Sequence, residues 1–140
     1  MTASAIQSRD TSSALTSYVP AIGRLLIAVI FLLSGVGKVF APGGTQAYIA
    51  AAGLPLPLLA YLIAVVVEVG GGLLLVLGYQ TRAVAAVLIV FTIAAALGFH
   101  HNFAEQNQMI HFLKNIAIAG GLLQVVAFGA GGFGLDARRR

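Results

Sequence analysis

Tyr61-Leu-Ile-Ala-Val-Val-Val-Glu68-Val-Gly-Gly-Gly-Leu-Leu-Leu-Val-Leu77 decides the fold class. The run is apolar apart from Glu68 and long enough, with Pro57–Ala60 before it, to cross a bilayer as a helix. An acid at that depth costs a few kcal/mol on insertion scales, so it needs a partner and marks a functional-site hypothesis by default. Arg24, early in another apolar run, is the cation expected to meet it. Such a pair serves chemistry or locks the register of two helices.

The whole chain agrees with that segment. Of its 140 residues 59% are apolar and only 9% are charged, against ~25% charged in soluble domains. Mean hydropathy is +0.97. Three further apolar segments, at about Val19–Phe40, Ala83–Phe99 and Met109–Phe128, approach the ~20 residues that a span requires. The expected fold is an all-α integral membrane protein, a four-transmembrane-helix bundle. A short interfacial helix, Gln46–Ala52, is expected between helices 1 and 2, capped by Thr45 and closed by Gly53 before Pro55 and Pro57. Residues 1–17 are read as a mobile polar tail rather than a signal peptide, 18–130 as the membrane domain, and 131–140 as a Gly-rich, then basic tail.

Charge sets the orientation. With both termini on one side, that side holds Arg9, Arg24, Arg82 and Arg138–Arg140, and the other holds Lys38 and Lys114. The positive-inside rule then places both termini in the cytoplasm. The Arg138–Arg140 cluster suits anionic lipid or topology, not nucleic acid.

Chemistry is confined to few residues. The absence of cysteine excludes disulfides, thiol catalysis, iron–sulfur ligation and thiolate metal sites. Gly70-Gly-Gly72 lies mid-helix without a following Lys and does not read as a phosphate loop. On helix 1, Arg24, Phe31 and Lys38 recur every seven residues on one face, with Ser34 at its edge. On helix 4, Asn115 must find a polar partner, whereas Lys114 can snorkel. His100, Asn102 and Glu105 lie in the most polar connection, where they suit hydrogen bonding or proton relay at the mouth of a site. His100, His101, Glu105 and His111 match no familiar ligand spacing, and His100 and His111 fall near one membrane surface. Neither a metal nor haem is expected.

Arg24, Ser34-Gly-x-x-Lys38, Glu68-Val-Gly-Gly-Gly-Leu and Gly78-x-x-Thr-Arg82 together resemble the DoxX family of small bacterial membrane proteins. Gly44-Thr-Gln-x-Tyr48, Phe99-His-x-Asn-Phe-Ala-Glu105 and Lys114-Asn115-x-x-Ile118-x-Gly-Gly121 are similar to its YqjF-like branch in particular. The resemblance covers about residues 19–136. It implies a multi-pass protein of the bacterial inner membrane, linked to quinone and sulfur redox metabolism as a component of a larger oxidoreductase system. The leading expectation is therefore a membrane subunit that binds a quinone or quinol and works with a partner oxidoreductase, having no redox centre of its own. Glu68 is expected to accept the quinol proton and Arg24 to orient Glu68, as the catalytic pair. Lys38, His100, Asn102, Lys114 and Asn115 are expected to bind the ligand. The competing expectations are a non-catalytic anchor for a soluble enzyme, using Arg82 and Arg138–Arg140, and a small-solute or proton transporter, which four spans would serve only as a homo-oligomer.

Overall fold

The computed structural model describes the backbone of residues 3–139 and the side chains of 15–138. Among the described residues there is no strand. The elements are α1 (Ala3–Phe40), α2 (Pro42–Ala51), α3 (Pro57–Val65), a π-helical turn (Val66–Gly70), α4 (Gly71–Leu77), α5 (Thr81–Phe99) and α6 (Gln106–Phe128). The α3–π–α4 succession is one continuous span, so four helices are long and apolar enough to cross a membrane: Leu15–Phe40, Pro57–Leu77, Thr81–Phe99 and Gln106–Phe128. The expected four-helix membrane bundle is the observed architecture.

Packing follows the small residues. Ala21, Arg24, Ala28, Phe31 and Gly35 are the buried stripe of α1, at helical spacings of three and four. Their neighbours Leu26, Leu33 and Phe40 remain exposed on the outer face, as do Val90 and Phe128 elsewhere in the bundle, where lipid replaces water. A Cβ placed on Gly35 would lie 2.7 Å from Val69 Cγ2 and 3.1 Å from the Val69 backbone nitrogen. One on Gly72 would meet Leu32, and one on Gly71 would meet Leu88 of α5. These glycines let the backbones approach as small residues do in membrane bundles, and they fix the register of α1 against the second span.

The helix ends differ from expectation. The helix of α1 runs back to Ala3, with no break at residue 17, and Pro20 lies inside it. The side chains of Arg9 and Asp10, the side chain of Arg139 and all of Arg140 lie outside the described residues. The interfacial helix exists but begins four residues early, at Pro42, whose missing N–H is harmless at a helix start. Thr45 is therefore not its cap. It sits in the first turn and donates its hydroxyl back to the Ala41 carbonyl at 2.8 Å. Gly53 does close the helix, with φ of +77°.

The segment after α6 folds back as a strap. The backbone N–H groups of Leu135 and Asp136 donate to the carbonyls of Leu77 (3.0 Å) and Gly78 (2.9 Å), the end of the second span. The Asp136 carboxylate accepts the Gln80 and Thr81 N–H groups, both at 2.8 Å, at the start of α5. These would otherwise be orphan donors of that helix. Phe133 stacks on Tyr18 of α1 with ring centroids 4.7 Å apart.

Candidate functional site

Glu68 is the centre of the π turn, Val66–Gly70. Such single-turn widenings inside α-helices concentrate at functional sites. Here the turn lies directly against Gly35, which places Glu68 beside the last turns of α1. Ser34 and Lys38, one helical turn apart on α1, both reach it. Lys38 Nζ contacts Glu68 Oε2 at 2.8 Å and Oε1 at 3.0 Å. It also donates to Ser34 Oγ at 2.8 Å, and the Ser34 hydroxyl donates to Glu68 Oε1 at 3.1 Å. The carboxylate side chain is 7% exposed and the lysine 26%. The pair is therefore desolvated at the acid and open at the cation.

The expected Arg24–Glu68 pair does not form. The glycine contacts match Gly35 with Val69 and Leu32 with Gly72, and a Cβ on Gly78 would run into the Arg24 guanidinium. Arg24 is thus level with the end of α4. Glu68, ten residues up the same span, stands about 15 Å away along the axis at 1.5 Å per residue. Arg24 lies shallower than its place within the apolar run suggests, level with Gly78. Arg24 is buried, 3% exposed, and its Nη2 donates to the Phe133 carbonyl of the strap at 2.6 Å. Its Nε and Nη1 are buried without a hydrogen-bond partner. It is a structural clasp for the C-terminal segment at one end of the bundle, whereas Glu68 lies at mid-span.

Beside the Lys38–Glu68 pair lies a cavity of about 450 Å³, within the size range of small-molecule sites. Ser34, Lys38 and Glu68 form its charged wall, and Phe91 and Phe99 of α5 line it with Tyr48 of α2. Tyr48 stacks on Phe99, centroids 5.3 Å apart and planes 11° off parallel. The short helix α2 therefore contributes Tyr48 and Ile49 to the cavity wall. His100 and Asn115 also line the cavity. The His100 ring pairs through Nδ1 with Gln108 Oε1 at 3.0 Å and stacks on His111. Asn115 donates one amide N–H to the His111 carbonyl at 3.0 Å.

Of the residues expected to bind a ligand, Lys38 contacts Glu68, and His100 and Asn115 line the same cavity. Asn102 and Lys114 are not among the cavity lining; both are exposed, Asn102 in the connection before α6 and Lys114 on the outer side of α6. Ser34, Tyr48, Phe91 and Phe99 were not foreseen as site residues. A sequence signal existed for three of them. Ser34 is four residues before Lys38, and Phe91 and Phe99 are eight apart, so each pair shares a helix face. Among the described residues no group of three or more His, Cys, Asp or Glu could hold a metal ion.

The sequence pattern of the DoxX family matches residues 19–101, which include Ser34, Lys38, Glu68 and both phenylalanines of the cavity. The chain belongs to the DoxX family. The DoxX-family chain is 39% identical over 122 residues to the inner membrane protein YphA of Escherichia coli (strain K12), covering 84% of this chain and 87% of that one. It is 37% identical over 118 residues to the inner membrane protein YqjF of the same organism, covering 82% and 87% respectively. No solved structure matches it. With four spans and these relatives, this DoxX protein is a multi-pass inner-membrane protein.

Proposed function

We propose that this DoxX-family protein binds the ring of a quinone or quinol in the cavity beside Glu68 and serves a partner oxidoreductase as its membrane subunit. One observation carries the reading: a desolvated, paired carboxylate lines an aromatic-walled cavity of about 450 Å³ inside a membrane bundle. A register lock needs the ion pair but not the cavity. A quinone-type ligand needs both, an apolar slot for its ring and a few polar groups for its oxygens. The residues present fit that group: Phe91, Phe99 and Tyr48 offer ring faces, and Glu68, Asn115 and His100 offer polar atoms.

In this scheme Glu68 takes a proton from a bound hydroxyl, and Lys38 and Ser34 hold its carboxylate in place. The bound ring supplies the two-electron chemistry. These side chains move protons only, so electrons pass to or from the partner. Lys38, not Arg24, is the positioning cation.

The test is binding of a short-chain quinone and its quinol to the protein in nanodiscs, compared with Glu68→Gln at equal folded content. Saturable binding weakened about tenfold by the substitution supports the reading. Absence of binding by a folded wild type contradicts it.

A second reading, an anchor for a soluble enzyme, has one observation in its favour. The strap fixed by Arg24 and Asp136 holds the chain next to exposed Arg138 against the bundle, at the end where Arg82 is also exposed. A preformed basic surface of this kind suits a docking partner.

A further inference from the structure

We propose that the groove between α1 and α6, at the strap end of the bundle, holds one acyl chain of an anionic phospholipid whose phosphate sits on Arg82. The site is distinct from the cavity beside Glu68 and does not depend on the ligand proposed there.

Two helix faces build the groove. Gly23, Arg24 and Ile27 of α1 and Gly121, Gln124 and Phe128 of α6 line a cavity of about 380 Å³, and each trio lies on one side of its helix. Glycine keeps the slot open, since nothing lies within 4 Å of a Cβ placed on Gly23. Deeper in the bundle it narrows, where a Cβ on Gly121 would come 3.1 Å from Ile27 Cδ1. Val19 and Phe128, at its mouth, are exposed on the lipid-facing surface. From Gly121 to Phe128 the groove is about 10 Å long at 1.5 Å per residue. That volume over that length admits an alkyl chain but not a second helix about 10–12 Å across.

One polar group in the groove calls for more than an alkyl chain. Gln124 is exposed, and its amide makes no hydrogen bond among the described residues. It stands one turn, about 6 Å, inside the end of α6. An amide left to hydrocarbon is costly. A phospholipid offers it a partner at that level, because the ester carbonyls lie between the phosphate and the acyl chains.

Charge selects an anionic headgroup. Arg82 Nη2 donates to the Ala127 carbonyl at 3.2 Å, which holds the guanidinium against the end of α6. Its Nε is 3.3 Å from the Cβ position of Gly129, the residue that ends the groove. A guanidinium has five N–H donors in a fork that matches phosphate. Arg82 is exposed and has used one of them. Arg24 lines the groove from within the protein, 3% exposed, with Nε and Nη1 unpartnered, so its charge adds to the field without touching the headgroup. Asp136 opposes them, but its two oxygens accept the Gln80 and Thr81 N–H groups and it lines a different, smaller cavity. Among the described side chains this end therefore carries Arg24, Arg82 and Arg138 against one acid. Basic pockets between spans on the cytoplasmic side suit anionic lipid in this way.

Native mass spectrometry tests the proposal on protein stripped of lipid in non-ionic detergent and offered equal amounts of phosphatidylglycerol and phosphatidylcholine with matched acyl chains. The wild type is expected to retain one phosphatidylglycerol per chain, about fivefold or more over phosphatidylcholine. Arg82→Gln is expected to cut that preference below about twofold, whereas Arg138→Gln, away from the groove, is expected to leave it within about twofold of wild type. Gly23→Leu, which fills the slot, is expected to lower retention of both lipids about fivefold or more. If Gly23→Leu does not fold, the contrast between the two arginine variants decides alone. Equal retention of the two lipids by the wild type, or a preference that Arg82→Gln leaves intact, overturns the proposal. A dimer mass that Gly23→Leu converts to monomer also overturns it, because a second copy would then cover this face.

Discussion

Gly35 and Val69 bring α1 and the second span into backbone contact, and that contact places Lys38 beside Glu68. A methyl group on Gly35 would come within 3.0 Å of Glu68 Cβ as well as striking Val69. Gly35→Ala is therefore expected to push the helices apart and cost about 1–3 kcal/mol, the range for overpacking a tight contact. Gly37→Ala is the matched control, because nothing lies within 4 Å of its added Cβ. It is expected to be neutral, or stabilising by about 0.5–1 kcal/mol as Gly gives way to Ala within a helix. Equilibrium unfolding of both variants in mixed micelles measures the difference.

The ion pair is expected to respond asymmetrically to removal of either partner. Lys38→Met strands a carboxylate that is 7% exposed, whereas Glu68→Gln leaves a lysine already 26% exposed and able to snorkel. The first is expected to cost about 3 kcal/mol or more and the second about 1 kcal/mol. The double variant is expected to be less destabilised than Lys38→Met alone, since it buries no unpaired charge. A double-mutant cycle by the same unfolding assay checks this.

Much of the fold was legible because membrane constraints are severe. Apolar length alone located the four spans, and the glycines announced close helix contacts. The register was not legible from end-counting. The level at which α1 meets the second span follows from Gly35 against Val69 and Leu32 against Gly72, and the strap contacts of Arg24 with Phe133 and of Asp136 with Gln80 and Thr81 are long-range, with nothing local in Phe133–Asp136 to signal them. The site was legible in part. Glu68 announces itself by its cost in the bilayer, and Lys38 was recognised as a binding residue but not as the partner. Tyr48 was hidden because α2 packs on α3 and reaches α5 only through the Tyr48 ring on Phe99, a placement that depends on where Gly53 and Pro57 turn the chain.

Separation of Arg24 from Glu68 yields a further expectation. Arg24→Gln is expected to destabilise the protein while leaving ligand affinity at the cavity within about twofold, because the strap and the cavity occupy opposite ends of the bundle. Asp136→Ala, which removes the acceptor for two N–H groups at the start of α5, is expected to cost about 1–2 kcal/mol, again without loss of binding. Titration of each folded variant with the short-chain quinol reads both effects.

The stacked rings of Tyr48 and Phe99 line one side of the cavity. Tyr48→Ala is expected to remove that wall with little loss of stability, since Tyr48 is more than half exposed. Affinity is expected to fall by about five- to tenfold through faster release, as for most interface changes. Stopped-flow displacement of bound quinol measures the release rate.

The most direct measurement of the central claim is photo-crosslinking with a short-chain quinone carrying a ring azide, applied in its reduced form to the nanodisc-held protein and followed by peptide mass spectrometry. Adducts on Tyr48, Phe91, Phe99 or Asn115, abolished by excess unlabelled quinol, are the predicted result. Adducts confined to lipid-facing residues such as Leu26, Leu33 and Val90, unaffected by the competitor, would contradict a ligand site beside Lys38 and Glu68.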